Sequence, residues 1–130
     1  MSPALKPILL VFIGGGLGSV LRLFVFHLSR LWLPPSFPHG TLAVNVLGSF
    51  IAGLIAAMLM ARGSGGNDTA SLFLLTGVLG GFTTFSAFSL DAVQLWQRGT
   101  AIEAAIYVGT SVLLSIAGVV GGFAAVRALS

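Results

Sequence analysis

Four long apolar stretches follow one another along this chain with little between them. They run from about Leu5 to Leu28, Thr41 to Ala61, Ala70 to Trp96 and Ala101 to Leu129. Each is near the ~20 residues that a bilayer-spanning helix needs. The connectors are short and have the composition of breaks. LPPSFPHG at Leu33–Gly40 carries three prolines in five positions, which forbids a continuous helix. RGSGGND at Arg62–Asp68 reads as a flexible polar loop, and Gln97–Thr100 as a turn. Charged residues make up 7% of the chain and mean hydropathy is +1.06, where a soluble domain carries about 25% charge. The fold class expected is therefore an all-α membrane protein, with residues 1–130 forming a single unit of four transmembrane helices. Lys6 ahead of the first stretch imitates a signal peptide. The apolar run continues too far and has no small-residue cleavage site, so it is expected to remain as a helix.

Charge excludes some functions and leaves the orientation open. The formal charge is +3, with six basic residues dispersed along the chain and no basic cluster, so nucleic acid is not an expected partner. Cysteine is absent, which removes disulfides and thiolate metal sites. An even number of spans places both termini on one side. Lys6, Arg62 and Arg127 then face that side, Arg30 and Arg98 face the other, and Arg22 lies inside the first span near the second side. So balanced a count gives almost no positive-inside bias. Either other features fix the orientation, or the chain inserts both ways and pairs antiparallel with its own copy. Small residues at helical spacing, Gly14–Gly18, Gly77–Gly81, Gly118–Gly122, Gly48–Ala52 and Gly53–Ala57, form close-packing faces. Their number argues for a dimer or larger assembly, since four short helices scarcely enclose a pore.

The third span contains GVLGGFTTFSAFS at Gly77–Ser89. Adjacent Gly80 and Gly81 each weaken a helix by roughly 1 kcal/mol relative to Ala, and two threonines follow at once. Irregular backbone at membrane depth survives only where protein buries it or where it lines a wet cavity. The expectation is a helix broken mid-membrane at the glycine pair, building a site for something small.

Polar residues in the other spans point the same way. Thr41 and Asn45 share a face of the second helix, and Tyr107, Ser111 and Ser115 form a stripe along one face of the fourth. A lone membrane Asn is usually an interhelical hydrogen bond and a lone Ser often bonds its own i−4 carbonyl. Three hydroxyl groups in line look more like the lining of a path. Phe85 and Phe88, at i and i+3, share a face. Ordinary packing would explain such a pair, but aromatic edges are electropositive and could stabilise a dehydrated anion loosely enough for it to leave. Hydroxyl and amide donors suit the same anion. Carbonyls freed at Gly80 could instead coordinate a small cation, although no carboxylate lies within the break. Asp91 and Glu103 fall near span ends, where a solvated role is expected. His27 and His39, both near connectors, read as surface residues. Arg22 either snorkels to the interface or steers anions into a vestibule.

Over its full length the chain resembles the Fluc (CrcB) family of small fluoride channels. The matching pieces are GGGLGSVLR at Gly14–Arg22, HGTLAVNVLGSFIAG at His39–Gly53 and GGFTTFSAFS at Gly80–Ser89. The last two together are specific, and the first is weak alone. The resemblance implies an antiparallel dual-topology homodimer in a microbial inner membrane with two fluoride pathways. Phe85 and Phe88 would be an edge-on pair along each pathway, Asn45 and Thr41 would face it, and Tyr107, Ser111 and Ser115 would be its polar track. Arg22 matches the family's first-helix arginine. A structural Na+ is implied at the dimer interface, held by the main-chain carbonyls of Gly80 and Thr83. The family usually has Thr where Ala87 stands and commonly Glu where Asp91 stands, which leaves a role for Asp91 in doubt.

The function expected is passive, fluoride-selective export that relieves fluoride toxicity. A proton-coupled multidrug exporter would need a mid-span carboxylate, which is missing. A non-transporting assembly subunit would leave the hydroxyl stripe unexplained. Enzymatic activity lacks a nucleophile–base pair within the spans.

Overall fold

The structure, a computed structural model, describes residues 2–130. It is helical throughout, and four apolar stretches within it are long enough to cross a membrane: Leu5–Trp32, His39–Ala61, Ser71–Gln97 and Ala101–Leu129. The first helix, α1 (Leu5–Trp32), runs past Leu28 and stops where Leu33 turns extended ahead of Pro34, as residues before proline do. Helix α2 (His39–Ala61) starts directly behind Pro38, whose carbonyl accepts from Leu42 N–H at 3.2 Å. Its C-terminus closes on Gly63 (φ 72°), with Gly63 N–H donating to Met60 and Ser64 N–H to Leu59. This is a Schellman cap, which favours glycine because the residue is left-handed.

The third stretch is not one regular helix. Ser71–Leu79 is wound as a π-helix and Gly80–Phe82 continues as a single α-turn. Thr83 (φ −80°, ψ 159°) and Thr84 (φ −153°, ψ 114°) are extended. Helix α3 (Phe85–Gln97) then begins, and Gly99 (φ 79°) turns the chain into α4 (Ala101–Leu129). The glycine pair is therefore not where regular helix stops, because Gly80 is helical at φ −62°, ψ −37°. The departure comes at the two threonines. Glycine lowers the cost of leaving the helix, but a β-branched pair followed by a capped new start is what leaves it.

Small residues set the packing. A Cβ on Gly14 would lie 2.6 Å from the Phe73 carbonyl, and one on Gly18 would run into the Val78 carbonyl. Gly81 abuts the Gly15 carbonyl in the same way. On the other side, Gly53 is pressed on the Val119 carbonyl, and a Cβ on Gly122 would lie 2.5 Å from that of Phe50. Thus α1 seats on the π-wound segment and α2 seats on α4. The small residues thus serve the close helix contact that their spacing predicts, and the contacts described lie within one chain.

Bulky side chains point outward instead. Phe12, Leu23, Leu113 and Leu129 are 77%, 67%, 70% and 89% exposed. Such an outer surface belongs in hydrocarbon, and the chain is a multi-pass membrane protein. Two small clusters form the interior, Val44–Leu79–Phe82 and Phe88–Leu95–Ala104–Tyr107. They lie on either side of Thr83 and Thr84 in the third stretch.

Candidate functional site

The extended threonines are held by side chains from two other helices. Asn45 on α2 donates from Nδ2 to the Thr84 carbonyl at 3.0 Å, and its Oδ1 accepts from Thr84 N–H at 2.7 Å. One amide thus replaces the N–H hydrogen bond that Thr84 forfeits by leaving the helix, as a buried backbone group demands, and gives its carbonyl a further donor. Arg22 on α1 donates from Nη1 to the Thr83 carbonyl at 3.4 Å. Thr84 also caps α3, its Oγ1 accepting from Ala87 N–H at 3.1 Å. The first N–H groups of α3 have no partner within their helix and carry the positive end of its dipole.

Beside these threonines lies a groove of about 460 Å³. Asn45, Gly80, Thr83, Phe85, Phe88, Ser111 and Ser115 all line it, so α2, α3, α4 and the turn before α3 converge there. The two phenyl rings are 5.4 Å apart and tilted by 51°. Phe88 is buried, whereas Phe85 is 78% exposed at the groove's edge. Ser111 is buried and its Oγ has no hydrogen-bond partner, alone among the buried side-chain polar atoms of the described residues. It does not fold back on its helix as Thr110 does, which bonds the Ile106 carbonyl at 2.6 Å. A buried hydroxyl left unsatisfied costs about 1–3 kcal/mol. Such a group is commonly explained by strain, by an ordered water or by a bound ion.

The remaining predicted residues lie outside the groove. Thr41 lines a second chamber of about 210 Å³ under the α1–α2 connector, together with His39, Asp91 and Arg98. Tyr107 is fully buried between the two spaces, its ring tilted by 41° against that of Phe88 at 5.4 Å and its hydroxyl donating to Asp91 Oδ2 at 3.1 Å. Asp91 is therefore engaged rather than simply solvated. His39 is not an isolated surface residue either, since its ring lies 5.0 Å from that of Phe37. Arg22 faces a third space of about 450 Å³, lined also by Ser19, Thr84 and Ser86 on the opposite side of the threonines.

Sequence reasoning missed Thr84, which is both clamp partner and cap. A Thr directly before an apolar period is an N-cap signal, but its pairing with Asn45 spans 39 residues and leaves no local trace.

Among the described residues no cluster of three His, Cys, Asp or Glu could hold a metal. Main-chain oxygens are the alternative. Thr84 N–H would pair with Gly80 O in a continuing helix, but it is given to Asn45, which frees the Gly80 carbonyl. Bare carbonyls suit a hard cation in kind. At Thr83 the Arg22 guanidinium would have to give way to one.

Residues 9–123 match the family described as "CrcB-like protein, Camphor Resistance (CrcB)". The chain belongs to the CrcB family. CrcB relatives align over nearly the whole chain. A protein named "Fluoride-specific ion channel FluC" from Rhizobium etli (strain CIAT 652) is 51% identical over 121 residues, covering 93% of this chain and 96% of its own. Proteins of the same name are 50% identical in Rhodopseudomonas palustris (strain BisB5), covering 94% and 98%, and 51% identical in Agrobacterium fabrum, covering 94% and 97%. These CrcB relatives are named as channels and none of the three as an enzyme.

Proposed function

We propose that the chain is a fluoride-selective passive channel that exports fluoride from the cytoplasm across the inner membrane. The unpartnered Ser111 hydroxyl, buried in a groove that Asn45, Ser115 and two phenyl rings also line, carries this reading. Such a lining offers hydrogen-bond donors and weakly positive ring edges, with no cation to trap the ion. Asn45 spends one N–H on Thr84 and keeps the other for the anion. The exposed N-terminus of α3 adds a positive dipole end at the same place. The near-identical length and 50–52% identity of relatives named for fluoride supply the ion's identity.

The pathway runs from the Ser115–Ser111 side past Phe85 and Phe88 to Tyr107 and Thr41, with Arg22 steering anions from the far side of the threonines. Selectivity over chloride follows from a narrow lining whose donors fit a small anion. The negative cell interior drives the anion outward without coupling to another ion. In this reading the third span is broken at mid-membrane, and two subunits pair antiparallel so that the open side of each groove is covered. The Gly80 and Thr83 carbonyls of both subunits would hold a structural Na+, which would supply positive charge where four carbonyl dipoles converge.

Efflux from liposomes containing the purified protein, with fluoride and chloride compared on ion-selective electrodes, tests the reading. Fast fluoride loss without chloride loss is expected. Equal loss of both ions, or silence for fluoride, overturns it.

A further inference from the structure

The aromatic row does not end at Phe88. Ring centroids step from Phe85 to Phe88 at 5.4 Å, from Phe88 to Tyr107 at 5.4 Å, and from Tyr107 to Phe37 at 5.6 Å. Phe37 comes from the proline-rich connector, outside every span. The flanking Pro35 and Pro38 restrict that backbone, and Phe37 is half-buried against the Phe88–Leu95–Ala104–Tyr107 cluster. It therefore joins the groove's row of rings to the connector-side chamber, which it also lines beside Arg30, Asp91 and Arg98.

The geometry at this junction differs from that within the groove. Phe37 and Tyr107 stand at 90°, a T-shaped pair, whereas Phe85 and Phe88 are tilted by 51°. In a T-shaped pair one ring presents its edge to the other's face. Whichever ring is the stem, Phe37 keeps C–H edges that Tyr107 does not cover. Those edges are electropositive and border a chamber that carries two arginines against one aspartate. A ring needed only as filler could be any apolar group of its volume. This one is placed where an anion would exchange the last aromatic edge for water and arginine.

We propose that Phe37 is a specificity-determining residue of the anion path, the outermost ring of the row, acting through its electropositive edge at the mouth formed by the connector. The inference rests on the fluoride-channel reading and adds a residue borne by a loop to a path otherwise built from helices.

The test replaces the ring's electrostatics while keeping its shape. Fluoride efflux from liposomes is measured for the wild type, Phe37→Leu, Phe37→Tyr and a protein carrying pentafluorophenylalanine at position 37, whose quadrupole is reversed. Thermal unfolding and elution volume in detergent are recorded for each. The pentafluorinated protein is expected to keep wild-type unfolding and elution but to lose fluoride efflux by about threefold to tenfold, the range of one aromatic contact. Phe37→Leu should fall at least as far, and Phe37→Tyr should stay near wild type. Wild-type efflux from the pentafluorinated protein overturns the proposal and leaves Phe37 as packing, even where Phe37→Leu fails to fold. Failure of the wild type to pass fluoride would sink the channel reading itself, a distinct result.

Discussion

At the scale of single residues, one buried hydroxyl of the groove is unsatisfied while polar side chains close to it are paired. Asn45 spends both ends of its amide on Thr84, and Tyr107 reaches Asp91. The Ser111 hydroxyl has no hydrogen-bond partner within the chain. Removing its hydroxyl should therefore relieve the empty protein of about 1 kcal/mol or more while taking a donor from the anion. Ser111→Ala is expected to unfold at the same or a higher temperature than wild type and to pass fluoride several-fold more slowly. A variant that unfolds earlier and conducts normally would make Ser111 a packing residue. Much of this was legible beforehand, because Ser111, Ser115 and Tyr107 repeat at helical spacing and Asn45 stands out in an apolar span. The partner of Asn45 was not legible. A hydrogen bond to backbone depends on tertiary approach and carries no side-chain signature at Thr84.

At the scale of elements, the spans were readable from hydropathy to within a few residues, and the interior of the third was not. Gly80 and Gly81 suggested the place of irregularity, yet backbone entropy alone does not extend a chain. The extension falls at Thr83 and Thr84, where Asn45, Arg22 and the α3 cap supply replacement hydrogen bonds. The π winding of Ser71–Leu79 has no composition signal at all. Helix contacts were read correctly as glycine-dependent but without their partners, since spacing reveals a flat face but not what lies on it. The Gly18 position is the most demanding of these, with the Val78 carbonyl where a Cβ would go. Gly18→Val should push α1 off the π-wound segment and destabilise the fold by several kcal/mol, in the range of overpacked cores. Loss of the monodisperse peak in detergent, or a steep fall in unfolding temperature, is the expected outcome. The control Gly16→Val, where nothing lies within 4 Å, should behave as wild type.

At the scale of the whole molecule, the near-balance of basic residues remains the one clue to orientation. The chain has no cysteine, so a single thiol placed in the exposed Arg62–Asp68 loop reports on that loop alone. With Asn67→Cys in cells, a membrane-impermeant maleimide is expected to label about half the protein from outside, and the rest only after permeabilisation, if charge leaves insertion unbiased. Labelling confined to one side would show a fixed orientation and remove the antiparallel pair from the proposal.

The clamp on Thr84 is also self-contained. Both of its hydrogen bonds, and the one from Arg22 to Thr83, are made within a single chain. The bend therefore needs no hydrogen-bonding group from outside the chain that carries it. In the proposed antiparallel pair, each subunit would bring a bend held by its own side chains.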